Sequence, residues 1–203
     1  MTKTEKVVLA TLPAKQSVRQ LSAYGRQANT RAWVIGKNIT ASSDDLFYGR
    51  YESPTDLPDL GVAYPQWHLA LSPVPGWGWW QREVTIDHAD MIMVVLGMRF
   101  ADKDSRERFV AATKAHSDYC LRNEPATLVY GLGQIADRSP GADAFTVGDL
   151  VVIMACADQH ALDQHANDPK HLALASRMAD LRIEVESHFS QTYQLRADGF
   201  LWR

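Results

Sequence analysis

The chain has 203 residues, 46% of them hydrophobic, and 21 Lys and Arg against 24 Asp and Glu give a formal net charge of -3. That is enough apolar material for a full core, and the absence of a Lys/Arg block argues against nucleic acid or an anionic membrane as partner. No window reaches the roughly 18 apolar residues of a membrane span, and the N-terminal MTKTEKVVLATLP is too short in its apolar run for a signal peptide. Cys120 and Cys156 show no CxxC spacing, which fits a reducing compartment and predicts a cytoplasmic protein.

In chain order, VVLATLP reads as a first strand, TRAWVIGK as a second and DLFYGRY as a third, each apolar over strand length. WWQREVTI reads as a fourth, and alternation through PQWHLALSPVPGWGWWQR puts Trp77 and Trp79 on one face of a strand and Trp80 on the other. MIMVVLGMRF then opens a second series with a run long enough for a strand buried on both faces. DKDSRERFVAATKAHSDYCLRN is a helix with acidic residues in its first turn, a stripe of Phe109, Ala112, His116 and Cys120, and Pro125 as its stop. ATLVYGLGQI is a strand, ADRSPGADAFTVG a loop, and DLVVIMACA a third strand. The segment from Asp158 to Phe189 reads as helical, broken at Asp168-Pro169, where Asn167 or Asp168 can cap a helix that begins on proline. QTYQLR closes the series as a strand.

Both series therefore run β-α-β-β-α-β, the ferredoxin-like order. Three blocks align between them: Val7–Arg19 with Val94–Arg106 at an offset of 87, Thr30–Lys37 with Thr127–Gln134 at 97, and Asp45–Leu71 with Asp149–Leu174 at 104. The last pair places Pro65 on Pro169, and the growth of the offset by 10 between the first two blocks implies a first helix shortened by about three turns in the first copy. Strands apolar at every position need cover on both faces. The expectation is an α+β barrel made by two ferredoxin-like halves, a degenerate half over residues 1–88 and a full one over 89–203, their sheets packed face to face.

NEPATLVYGLGQ and DLVVIMACADQHALDQHANDPKHLAL resemble the antibiotic biosynthesis monooxygenase family of dimeric α/β barrels. Asp158, Ala161, His165 and His171 fill the family's helix pattern, while Ala155 or Cys156 stands at its aromatic position and Ala126 replaces the glycine after Glu-Pro. The resemblance covers residues 90–196 directly and the first half only through the repeat. It implies a small-molecule oxygenase acting on an aromatic polyketide, phenol or quinol with molecular oxygen and without a cofactor, with a homodimer as an assembly the family allows. Haem or reduced flavin, with His171 as an axial ligand, is the alternative, and a non-catalytic ligand-binding or stress-response barrel is a third.

Candidate bases are His116, on the apolar stripe, and His165 and His171, flanking the helix break; each could also be a half-buried or helix-end histidine with no chemistry. The candidate substrate-binding residues are Arg50, Trp67, Tyr119 and Met154. A lone arginine in an apolar strand needs an anion, which could be a substrate phenolate or Glu52 or Glu83. Trp67, Trp77, Trp79 and Trp80 are an aromatic clamp or a barrel seam packed with rings. The expected site lies between the second sheet and its helices, with the tryptophan segment plugging the first half. No phosphate-binding glycine motif and no serine nucleophile elbow is present. His165 and His171 are not spaced as the i, i+4 pair of a helical zinc site, and no metal site is expected.

Overall fold

The structure is a computed structural model, and it describes residues 6–13, 30–40, 44–51, 67–77, 79–82 and 88–200. Eight strands close into a barrel. The first half supplies β1 (Lys6–Pro13), β2 (Thr30–Asn38), β3 (Asp44–Tyr51) and β4 (Trp67–Pro73), ordered β4-β1-β3-β2. The second supplies β6 (Ile92–Phe100), β7 (Thr127–Arg138), β8 (Leu150–Cys156) and β9 (Val185–Phe200), ordered β9-β6-β8-β7. Each set has its fourth strand beside its first and its second at the far edge. The edges join as β2 with β9 and β4 with β7, all antiparallel. The halves thus meet edge to edge around one barrel rather than as two sheets stacked face to face, and closure removes the exposed edges that open sheets must protect.

Alternation along the closed strands accounts for the unbroken apolar runs. Val7, Leu9, Val34, Leu46, Tyr48, Met93, Val95, Val129, Ile153 and Tyr193 fill the interior. The intervening residues of the second half, among them Met98, Tyr130, Val152 and Met154, form a separate apolar layer on the outer face. That layer lies under α1 (Lys103–Asn123), α2 (Gln159–Asn167) and α3 (Pro169–Asp180). Phe145 and Ala142, in the loop between β7 and β8, reach the interior cluster.

Several sequence expectations change. The fourth strand of the first half is β4, whose Leu69 and Leu71 alternate inward against β1, while the described residues of WWQREVTI form a short strand, β5 (Trp79–Gln81), on the edge of β7. The last helix ends at Asp180; Arg182 takes a positive φ of 50°, and Val185–Phe189 pairs with β6 as the start of β9. At offsets 87 and 104 the aligned residues face opposite ways, inward Val7 falling on outward Val94 and inward Leu46 on outward Leu150. A one-residue slip exchanges the two faces of a strand. The offset of 97 keeps its faces, with Ala32 and Val129 both inside. The shortened first helix and Pro65 lie outside the described residues.

Candidate functional site

Helix α1 begins at Asp102, whose carboxylate accepts from the Ser105 amide, and buries Phe109, Ala112, Thr113, His116, Ser117 and Cys120 against the second sheet. Its C-terminal carbonyls are held by an arginine from the first half. The Arg82 guanidinium donates to the carbonyls of Cys120, Leu121 and Thr127 and lies 5.3 Å from the Trp80 ring, a cation placed where the helix dipole favours it. Asp158 caps α2 by accepting from the Ala161 amide, so the Asp and Ala of the family-like pattern are structural here. Asp168 caps α3 through Lys170 and takes a 2.9 Å hydrogen bond from the Tyr119 hydroxyl, which ties the helix break to α1.

These contacts bring three imidazoles together. His171 Nδ1 lies 3.3 Å from His116 Nε2, and the His165 and His171 rings are 4.5 Å apart between centroids. Cys120 Sγ is 3.5 Å from His116 Nε2 and 3.9 Å from His165 Nδ1. The Glu124 carboxylate, at the C-terminal cap of α1, lies 2.7 Å from His165 Nδ1 and accepts from the Thr127 hydroxyl at 2.8 Å. Tyr119 stacks near His116, with 6.4 Å between ring centroids, and Tyr130 meets both His116 and His165 edge-on.

The electrostatics follow from burial. Burial, helped by the neighbouring His165 and His171, pulls His116 from 6.5 down to about 4, and burial lowers His171 as well. Burial opposes the charge of Glu124, yet hydrogen bonds from His165 and Thr127 hold its carboxyl at about 2. An ionised Glu124 accepts only, so His165 carries its hydrogen on Nδ1. Burial pushes the Cys120 thiol up, keeping it protonated. Among the described residues, His116 Nδ1 is buried without a hydrogen-bond partner.

A cleft of about 350 Å³ between α1 and α3 reaches this cluster, with His116, Tyr119, Ala115, Leu174, Lys170 and Arg177 on its walls. A second cleft of about 430 Å³ lies towards the start of α1, beside the Val74–Trp77 turn. Among the described residues, no histidine or cysteine lines that one.

Of the candidates, His116, His165, His171 and Tyr119 converge, and Met154 lies in the same apolar layer beneath them. Arg50 is not on the walls of the cleft between α1 and α3. Arg50, on β3, donates from Nη1 to Gln81 at 2.6 Å, and Trp67 begins β4, its side chain outside the described residues. Trp77 and Trp80 share a side rather than alternate, because Trp77 sits in a turn before the strand. Trp77 donates to Thr113 at 2.9 Å, Trp80 to Ser117 at 3.1 Å, and both rings meet Tyr130 edge-on. The tryptophans therefore brace α1 of the second half. Sequence reasoning missed Glu124 as the partner of His165. The signal was present, since His116, Cys120 and Glu124 stand at i, i+4 and i+8, one face of α1 and its cap.

No protein-family profile and no curated protein matches the sequence. Solved structures do match its shape. A protein provisionally named a monooxygenase from Lactobacillus acidophilus superposes with a TM-score of 0.69 at 14% identity, over 98% of this chain and 97% of that one. An anthrone oxidase-like protein gives 0.63 at 12%, over 95% and 91%. A ferredoxin-fold protein of Listeria monocytogenes related to antibiotic biosynthesis monooxygenases gives 0.59 at 11%, over 94% of each. At such identities the likeness speaks for the fold, and this chain has the ferredoxin-like α/β-barrel fold of the antibiotic biosynthesis monooxygenase-like proteins.

Proposed function

We propose that the chain is a small-molecule oxygenase acting on a phenol, quinol or anthrone-like polyketide, with its reaction centre where the cleft between α1 and α3 meets His116. The observation that carries this reading is the convergence of three histidines from three helices beneath a cleft, in a fold shared with an anthrone oxidase-like protein. The task of the cluster is to make the ring hydroxyl or activated methylene anionic, because the anion is electron-rich enough to pass an electron to oxygen. For an anthrone-like substrate the balance is direct. The methylene loses two hydrogens and gains one oxygen atom as a carbonyl, and the second oxygen atom leaves with those hydrogens as water. Lys170 and Arg177, on the cleft walls, favour the anion. Tyr119 and the apolar layer around Met154 give an aromatic ring a dry surface.

We further infer that residues 1–88 and 89–203 are two copies of one unit, the first degenerate as a site. The shared strand order and the face-preserving offset of 97 support this.

The test is oxygen consumption with a panel of anthrones and hydroquinones. Uptake matched by quinone formation is expected, with turnover reduced about 100-fold or more in His116→Ala or His171→Ala. Tight binding of these compounds in the cleft without oxygen uptake would favour the binding-barrel reading instead.

A further inference from the structure

The histidine cluster gathers one imidazole from each of the three helices in one place. One ring nitrogen from each of His116, His165 and His171 lies within 4.8 Å of the others. A purely structural trio would be expected to find carbonyl or hydroxyl partners, because buried polar atoms are satisfied as a rule. Here His116 Nε2 faces a thiol and another imidazole, and its Nδ1 has no partner among the described residues.

We propose that His116, His165 and His171 are the ligands of a divalent first-row transition-metal ion, held in a site with one position open towards the cleft between α1 and α3. The spacing suits such an ion. Metal–nitrogen bonds of about 2.0–2.1 Å in tetrahedral geometry put neighbouring nitrogens roughly 3.3–3.4 Å apart. His116 Nε2 and His171 Nδ1 stand 3.3 Å apart without an ion between them. Glu124 supplies the outer support. By accepting from Nδ1 of His165 it leaves the lone pair on Nε2, the carboxylate–histidine arrangement that orients metal-bound imidazoles. An all-imidazole set favours zinc, iron(II), cobalt, nickel or copper over magnesium or calcium. Helix α1 completes what the sequence spacing lacked: the i, i+4 pair is replaced by one histidine from each of three helices.

The inference rests on the proposed function for the role of the cleft, and it specifies how a phenol there becomes anionic: its oxygen fills the open position, and the ion's charge lowers its proton affinity.

Untagged full-length protein, stripped with a chelator, is titrated with Co(II) and with Zn(II) by visible absorption and calorimetry, with Mg(II) as control. The expected result is one Co(II) per chain with the visible bands of a four- or five-coordinate ion, displaced by Zn(II). His116→Gln, His165→Gln and His171→Ala should each weaken binding by more than tenfold, and Glu124→Gln by about 10- to 100-fold. His160→Ala, exposed at the start of α2, should change nothing. Because His171 is only partly buried, its variant is expected to keep the fold, and circular dichroism checks this. Absence of stoichiometric binding, or binding untouched by His171→Ala, overturns the site. Absent binding beside normal oxygen consumption removes the ion and leaves the oxygenase; stoichiometric binding without oxygen consumption does the reverse.

Discussion

Gly36 of β2 and Gly133 of β7 occupy equivalent places at the two seams of the barrel. A Cβ on Gly36 would stand 2.7 Å from Tyr193 Cβ, and one on Gly133 would stand 2.9 Å from Leu71 Cβ. In each case the second strand of one half meets the fourth strand of the other, and only a missing side chain permits the approach. Gly36→Ala and Gly133→Ala are each expected to destabilise the barrel by about 1–3 kcal/mol through overpacking. Urea unfolding midpoints check this, and a seam indifferent to both changes would contradict the close packing.

These two glycines also mark how far the fold was legible. They sit 97 residues apart, in the one aligned block that kept its faces, because a glycine forced by a neighbouring strand anchors register in a way that interchangeable valines and leucines do not. In the other two blocks the matched letters face opposite ways, and a strand buried on both faces carries no alternation that would have exposed this. The end of α3 was misread because RIEVESHF is amphipathic on either period, and only pairing with β6 decides it. In the site, the histidines were visible as residue types. Their meeting depended on the angle between α1 and the α2–α3 break, which Asp168 and Tyr119 set across 49 residues of sequence.

Acid should weaken the protein in two stages. His116 is lowered from 6.5 to about 4, so the unfolded chain takes up a proton near 6.5 that the folded chain refuses until about 4. Stability present above 6.5 is therefore lost as pH falls through that window, and His171 acts in the same direction. Glu124, lowered from 4.5 to about 2, adds its loss between those values. Calorimetric melting temperatures at constant ionic strength should decline from pH 6.5 to 4 in the parent protein. The decline should be shallower in His116→Leu; an equal slope in that variant would show that the acid sensitivity arises elsewhere.

Trp77 carries more stability than its place in a glycine-rich turn suggests. It is 2% exposed, donates to Thr113 and meets Tyr130 edge-on with 5.3 Å between centroids. Trp77→Ala is expected to cost about 3–5 kcal/mol. Trp77→Phe, which keeps a ring but strands the Thr113 contact, should cost clearly less. Chemical denaturation of the two variants checks the order. Because the residue braces α1, both should also raise hydrogen exchange along that helix before the barrel strands.

Glu124 is the residue through which stability and site chemistry are linked. Its carboxylate joins Thr127, at the start of β7, to His165 on α2, so it fixes where α1 ends and how the imidazole is turned. Glu124→Gln keeps the shape and removes the charge. The amide can still accept from Nδ1 of His165 through its oxygen, but the neutral bond is weaker, and the NH₂ group now faces a site with few acceptors. A stability loss of about 1–3 kcal/mol is expected from a hydrogen bond that loses its charged partner. Turnover should fall further than stability does, since an imidazole free to change tautomer no longer presents one fixed nitrogen. The His165 ring-nitrogen resonances in NMR report this directly: one tautomer in the parent, a mixture in Glu124→Gln. Glu124→Asp, which restores charge but shortens the reach, should recover the tautomer only in part. A variant with a single unchanged tautomer and reduced turnover would assign the loss to something other than the orientation of His165.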